Sequence, residues 1–128
     1  MVTTMPKFER KAKPSLVETR VQEEYRAHNL VPVSSSAYEF HSIVKSPYGL
    51  HPSPLAKFHE IAEKYECRVE VGKNGDAKQS LSHVLAILMM EFQTGSPISI
   101  SVDGNRAREC AKELIDYLDA GFGEIARN

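Results

Sequence analysis

The chain has 128 residues and a mass of 14.3 kDa, which is the size of one compact domain and excludes a second full domain. Its 16 basic and 17 acidic residues give a formal net charge of −1, so no global positive charge favours nucleic acid or an acidic membrane as a partner. An apolar share of 41% is ordinary for globular proteins and excludes disorder along the whole chain.

The sequence offers no candidate membrane span and no secretion signal. Its longest strongly apolar stretch, residues 84–90, is far shorter than the roughly 20 residues that cross a bilayer. The first ten residues lack a charged head followed by an apolar core, which predicts no secretion. Cys67 and Cys110 have neither the number nor the spacing of a disulfide framework or zinc site, so we expect two buried thiols in a cytoplasmic protein.

Residues 1–36 are predicted to be an extension of the main domain. They carry a charge of +2, whereas the rest of the chain carries −3. Ser15 and Glu18 have the spacing of a capping box and start a thin apolar stripe, which predicts a short helix over 15–29 and a linker at Ser34–Ser36. Such a stripe does not stabilise an isolated helix, so the helix must dock on the domain or a partner, or stay dynamic.

From residue 37 to 122 the sequence alternates between strand and helix patterns, and residues 123–128 are a predicted tail. Asn74-Gly75 is typical of a tight hairpin turn, which requires antiparallel pairing. The predicted elements are a strand at 38–45, a helix at 52–65, strands at 67–72 and 76–80, a helix at 82–92, a strand at 98–102 and a helix at 105–119. This order predicts an α+β open-faced sandwich, in which three helices cover one face of a four-stranded antiparallel sheet.

His51 is the strongest candidate for chemistry. It lies between Gly49 and the predicted start of the helix at 52–65, where unpaired N–H groups and the positive end of the helix dipole favour an anion. A neutral imidazole can also attack phosphorus near neutral pH. These residues therefore allow two interpretations, a phosphohistidine site or a histidine that only caps the helix.

The segment Gly49-Leu50-His51, with Pro54 before Leu55-Ala56-Lys57-Phe58, resembles the histidine-containing phosphocarrier proteins (HPr) of the bacterial sugar phosphotransferase system (PTS). The resemblance runs from about residue 38 to 120. It implies a cytoplasmic phosphoryl carrier rather than a true enzyme, without a cofactor. His51 would accept a phosphoryl group, through the ring nitrogen nearer the backbone, from a phosphoenolpyruvate-dependent kinase. It would pass that group to an acceptor protein of a sugar-transport or regulatory phosphorelay.

Two departures from the family fall in the implied phosphate site. Ser53 stands where the family has arginine, and Pro52 lacks a backbone N–H. The Ser53 hydroxyl, the N–H groups of Ser53 and Leu55, and the Lys57 ammonium remain as expected phosphate donors. Two functions therefore stay open: phosphotransfer that is slower or restricted to certain partners, and a non-catalytic regulatory binding module.

The predicted helix at 82–92 carries the expected partner contacts. Its apolar residues cannot all face one sheet, so some are exposed or are covered by the predicted helix at 15–29. The resemblance implies docking, with Val84, Leu85 and Leu88 as the residues that contact partner proteins. Ser80 and Ser82 are expected to cap this helix, although the resemblance also suggests regulatory phosphorylation there. We expect the phosphorylating enzyme and acceptor proteins or a regulator as partners, no nucleic acid, no membrane insertion, and a monomer or weak homo-oligomer.

No metal site is expected. The histidines His28, His41 and His59 are scattered over three elements, and no pair has metal-ligand spacing with a carboxylate or a thiol.

Overall fold

The computed structural model describes residues 30–73 and 77–125 of the chain. Its strands are β1 (Val31–Pro32), β2 (Ala37–Ile43), β3 (Arg68–Gly72), β4 (Gln79–Ser80) and β5 (Pro97–Asp103). Its helices are α1 (Pro52–Lys64), α2 (Val84–Leu88) and α3 (Ala107–Asp119), followed by a 3-10 turn over Gly121–Gly123. The helix predicted over 15–29 and the Asn74-Gly75 turn lie outside the described residues.

The described strands form one sheet in the order β1-β2-β5-β3-β4, and every neighbouring pair is antiparallel. Ile100 on β5 lies opposite Phe40 on one side and Val71 on the other, and all three side chains are fully buried. Because side chains alternate along a strand, the serines of β5 point to the other face. The sheet therefore has one apolar face.

The helices cover this apolar face. Phe58 and Ile61 on α1, Ile87 on α2, and Leu114 and Leu118 on α3 join the strand residues in one buried core. Burying each such side chain contributes about 1.5–3 kcal/mol. The predicted α+β sandwich is confirmed. The sheet also gains β1, a two-residue edge strand that lies within the predicted extension and pairs with β2.

The helix predicted at 82–92 is wrong in its length, because α2 covers Val84–Leu88. Glu91 adopts a left-handed backbone with φ 58°, and Phe92 turns back into the core, so the helix cannot continue. The predicted serine cap is also wrong. The N-cap is His83, whose side chain makes no capping bond, and the hydroxyls of Ser80 and Ser82 lie 3.0 Å apart in the turn before it.

Candidate functional site

The loop that precedes α1 is anchored to the segment that follows α2. A Cβ at Gly49 would lie 2.4 Å from the carbonyl oxygen of Phe92, and the backbone has φ +70°, so both contact and conformation require glycine. The N–H of Leu50 donates to the same carbonyl at 3.0 Å. This anchoring fixes where the next residue, His51, enters the helix.

His51 is the N-cap residue of α1, with an extended backbone, but its side chain makes no capping hydrogen bond. Pro52 follows it at the start of the helix, where a fixed φ suits helical geometry and a missing N–H costs nothing. The imidazole is therefore directed to groups outside the helix, and about a third of the side chain (33%) is exposed.

The imidazole of His51 contacts the carboxylate of Glu124. Nε2 lies 2.7 Å from Oε2, and the Glu124 side chain is 22% exposed. The second carboxylate oxygen, Oε1, accepts a hydrogen bond of 2.6 Å from the hydroxyl of Ser46, which is fully buried. Both carboxylate oxygens of Glu124 thus have a partner, and one of those partners is the candidate phosphoacceptor.

The 3-10 turn after α3 brings Glu124 to this position. Gly121 ends α3 with φ 61°, and Phe122 also adopts a left-handed backbone with φ 58°. The Phe122 ring is buried, with its centroid 5.9 Å from that of Phe58 and 5.2 Å from that of Tyr117. Packing of the ring against α1 and α3 offsets the cost of this backbone conformation, which is of order 1–3 kcal/mol.

Sequence reasoning missed Glu124, which lies in the predicted tail, 73 residues from His51. A contact over this distance in the chain leaves no local periodicity or motif. In the sequence, Gly121 indicates only the end of a helix.

The start of α1 carries few backbone donors for an anion. Pro52 and Pro54 have no N–H, and the N–H of Leu55 donates to the carbonyl of His51 at 3.3 Å. In the first turn of α1, the backbone N–H of Ser53 has no acceptor among the described residues. The Ser53 side chain is exposed. Of the predicted phosphate donors, Ser53 is therefore the best placed in this structure.

Lys57 forms an ion pair within α1. Its ammonium lies 2.8 Å from Oε1 of Glu60, and the two side chains are three residues apart on an exposed face. The hydrogen bond to Glu60 and that residue's charge raise the pKa of Lys57. The structure thus places the ammonium on Glu60, and its role as a substitute cation for phosphate stays a prediction.

Residues 38–120 match the family model PTS-HPr, described as the PTS HPr component phosphorylation site. The chain belongs to the HPr family. The predicted family resemblance is thereby confirmed, and Glu124 lies beyond the residues that the family model matches.

Two relatives of this HPr-family chain illustrate the similarity. The phosphocarrier protein HPr of Pseudomonas aeruginosa is 28% identical over 76 residues, which are 59% of this chain and 84% of that protein. The phosphocarrier protein NPr of Proteus mirabilis is 25% identical over 81 residues, which are 63% and 90% of the two chains.

The fold is similar to a solved HPr structure. The crystal structure of HPr from Thermoanaerobacter tengcongensis superposes with a TM-score of 0.61 at 27% identity, covering 69% of this chain and 98% of that chain.

The expected docking residues of this HPr-family chain lie on α2. Leu85 is 70% exposed, whereas Val84 and Leu88 are half-buried and pack against the core. Met89, directly after the helix, is 71% exposed. Part of the apolar run at 84–90 therefore faces outward among the described residues, as its composition required.

Two of the remaining histidines have structural partners. Nε2 of His59 lies 2.7 Å from the carbonyl oxygen of Leu81, and Nδ1 of His41 lies 2.9 Å from the hydroxyl of Ser99. His28 lies outside the described residues.

Of the two cysteines, Cys110 is buried as expected, but Cys67 is only half-buried. Burial raises the pKa of both thiols. In the part of the chain that the structure describes, no helix is long and apolar enough to cross a membrane.

Proposed function

We propose that this HPr-family chain is a phosphocarrier that accepts a phosphoryl group on Nδ1 of His51, the ring nitrogen nearer the backbone. The observation that carries the proposal is the contact of the other ring nitrogen, Nε2, with Glu124 at 2.7 Å. Within the described residues Nδ1 makes no hydrogen bond, so its lone pair is the nucleophile that the site offers.

Two transfers return the protein to its starting state. In the first, the Nδ1 lone pair forms an N–P bond while the bond from phosphorus to the donor breaks, and the donor keeps that electron pair. In the second, an acceptor group attacks phosphorus, the N–P bond breaks, and His51 regains its lone pair. The donor is proposed to be a phosphoenolpyruvate-dependent kinase, and the recipient an acceptor protein of a cytoplasmic sugar-transport or regulatory relay.

Phosphate at this position would lie near the start of α1. The helix dipole favours negative charge there, and the Ser53 N–H and hydroxyl are proposed as its donors. The N–H of Leu55 would have to leave the carbonyl of His51, and Lys57 would have to leave Glu60, before either could contribute. We expect transfer to be slow compared with a relative that carries arginine, because serine lacks a permanent charge and a bidentate donor.

Partner proteins are proposed to dock on the exposed side of α2. Leu85 is the central contact, because most of its side chain is exposed, and Val84 and Leu88 extend the surface. Ser82, which is exposed, and Ser80 are proposed sites of regulatory phosphorylation at the edge of this surface. We propose residues 37–122 as the carrier domain and residues 1–36 as an extension whose last residues form β1.

A second function, that of a non-catalytic binding module, is favoured by the poor anion site. The first turn of α1 has two prolines and one serine in place of the family's arginine, and Lys57 in the next turn is already paired with Glu60. In that case the docking surface on α2 would persist and phosphate would never reach His51.

One labelling experiment separates the two functions. The full chain is incubated with phosphoenolpyruvate and the phosphorylating enzyme of the PTS, and intact mass is measured before and after acid treatment. We expect an acid-labile addition of one phosphoryl group that His51→Ala abolishes. His41→Ala is the matched control and should leave the labelling unchanged, because His41 lies on β2 and its side chain contacts Ser99 on β5. No addition, under conditions that label an ordinary HPr, would favour the binding module and reject the carrier.

A further inference from the structure

Glu124 is held in one orientation by a residue that is itself fixed. The Ser46 hydroxyl donates to Oε1 of Glu124 and accepts the N–H of Tyr48 at 3.1 Å. The Ser46 carbonyl accepts hydrogen bonds from the Thr94 hydroxyl at 2.6 Å and from the N–H of Gly49 at 3.2 Å. The loop that positions His51 therefore also positions the carboxylate that contacts its ring.

The contact determines which ring nitrogen carries the proton. An ionised carboxylate is an acceptor only, so a neutral imidazole at 2.7 Å must place its proton on Nε2 to form the bond. The same choice leaves Nδ1 with its lone pair. A carboxylate that fixes a histidine tautomer in this way also stabilises the positive charge that the ring gains when its other nitrogen reacts.

Glu124 lies beyond the matched residues 38–120 and reaches His51 through the 3-10 turn after α3. Its carboxylate contacts Nε2, on the edge of the ring away from Nδ1, so it does not occupy the position of a phosphoryl group on Nδ1.

We propose that Glu124 is a positioning residue for phosphotransfer. It keeps the proton of His51 on Nε2, directs the Nδ1 lone pair at the phosphoryl donor, and stabilises the imidazolium that forms as the N–P bond is made. The Nε2 proton stays on the ring throughout, and the electron pair of the broken bond leaves with the donor. The consequence for transfer rests on the proposed carrier function, whereas the tautomer can be measured without any transfer.

The test is the tautomer of His51 in the full chain. Two-bond ¹H–¹⁵N correlations are recorded at alkaline pH, where the ring is neutral, for the wild type, Glu124→Gln and Glu124→Asp. We expect the wild type to hold the Nε2–H tautomer almost exclusively, Glu124→Gln to populate both tautomers, and Glu124→Asp to restore part of the preference. Glu63→Gln, an exposed charge change on α1, is the control for net charge and should match the wild type.

The labelling rate is the second measurement on the same variants. Glu124→Gln should be phosphorylated about 10- to 100-fold more slowly, which is the loss seen when the carboxylate partner of a metal-binding histidine is removed. Thermal unfolding of each variant is compared with the wild type, and the tautomer is read only from folded protein.

The possible failures of this proposal and of the carrier function are distinguishable. An unchanged tautomer in Glu124→Gln, or labelling as fast as or faster than the wild type, would overturn the positioning role while His51-dependent labelling still supported the carrier. If the wild type is never labelled, the carrier fails, and the positioning role falls with it even where the tautomer changes.

Discussion

The carbonyl oxygen of Phe92 lies directly against the backbone of Gly49 and accepts the N–H of Leu50 at 3.0 Å. Phe92 follows α2, whose exposed leucine is the proposed partner contact, and Gly49 is two residues before His51. This one contact therefore ties the proposed docking helix to the loop that carries the phosphoacceptor.

Replacing Gly49 with alanine should disrupt that junction. The added Cβ would lie 2.4 Å from the Phe92 carbonyl oxygen, and residue 49 has a φ of +70°, so the backbone of one of the two segments must shift. We expect a loss of about 2 kcal/mol or more in the free energy of unfolding, measured in urea. Gly95→Ala is the matched control, because Gly95 has φ +88° but open space around its Cβ position, which leaves a cost of about 1 kcal/mol. Equal losses would show that the contact with Phe92 has no effect.

Replacing Ser53 with arginine should speed phosphorylation of His51. The guanidinium would supply the permanent charge and paired donors that the first turn of α1 lacks. We expect labelling to be about tenfold faster or more, and Ser53→Lys to give a smaller gain because ammonium binds phosphate as a point charge. A rate unchanged from the wild type would mean that the missing arginine does not limit transfer, and that another cation already acts there.

Replacing Leu85 with alanine should weaken the complex with the phosphorylating enzyme while leaving the fold intact. The side chain is 70% exposed, so we expect its loss to change the free energy of unfolding by less than about 0.5 kcal/mol. Calorimetric titration should show binding at least about fivefold weaker. Ile87, two residues further along α2, is fully buried, so Ile87→Ala should instead destabilise the fold by about 2–4 kcal/mol. Binding by Leu85→Ala equal to the wild type would remove α2 from the interface.

Glu113 should add a small acid-sensitive contribution to stability. Hydrogen bonds from Lys64 at 2.9 Å and from the Tyr65 hydroxyl at 2.7 Å lower the pKa of its carboxyl in the folded state. Its contribution is complete above the pKa of an unfolded glutamate and is lost as pH falls through the lower folded value. Because the Glu113 carboxylate and its Lys64 partner are partly exposed, the contribution of Glu113 to the free energy of unfolding is at most about 1 kcal/mol.

Urea unfolding of the wild type and Glu113→Gln at neutral and acidic pH measures this contribution. The two proteins should differ at neutral pH and converge in acid. A difference that persists unchanged in acid would contradict the assigned role of the carboxylate.

Local patterns predicted most of the fold. The spacing of apolar residues is that of a strand in β2 and β5 and that of a helix in α1 and α3. Phe40 and Ile100 alternate with polar neighbours, and Phe58 and Leu114 lie on apolar helical stripes, so each element indicates its buried face. The length of α2 was overestimated because the apolar run at 84–90 and Phe92 after it favour a helix across Glu91, where the backbone turns left-handed with φ 58°. A residue other than glycine at positive φ gives no signal in sequence.

The candidate site was only half predictable for the same reason. His51 has a local motif and a helix start beside it, whereas Glu124 reaches it through packing of Phe122 against residues from two other helices. A two-residue strand such as β1 is likewise too short to show alternation. What could not be predicted depends on contacts between distant segments rather than on spacing along the chain.

We propose that phosphate is carried on Nδ1 of His51, and a ³¹P–¹⁵N correlation on the phosphorylated, ¹⁵N-labelled chain identifies the nitrogen that is bonded to phosphorus. We predict a phosphorus signal coupled to Nδ1 of His51, absent from His51→Ala and retained in His41→Ala. Coupling to Nε2, coupling to another histidine, or a signal that survives in His51→Ala would contradict the claim.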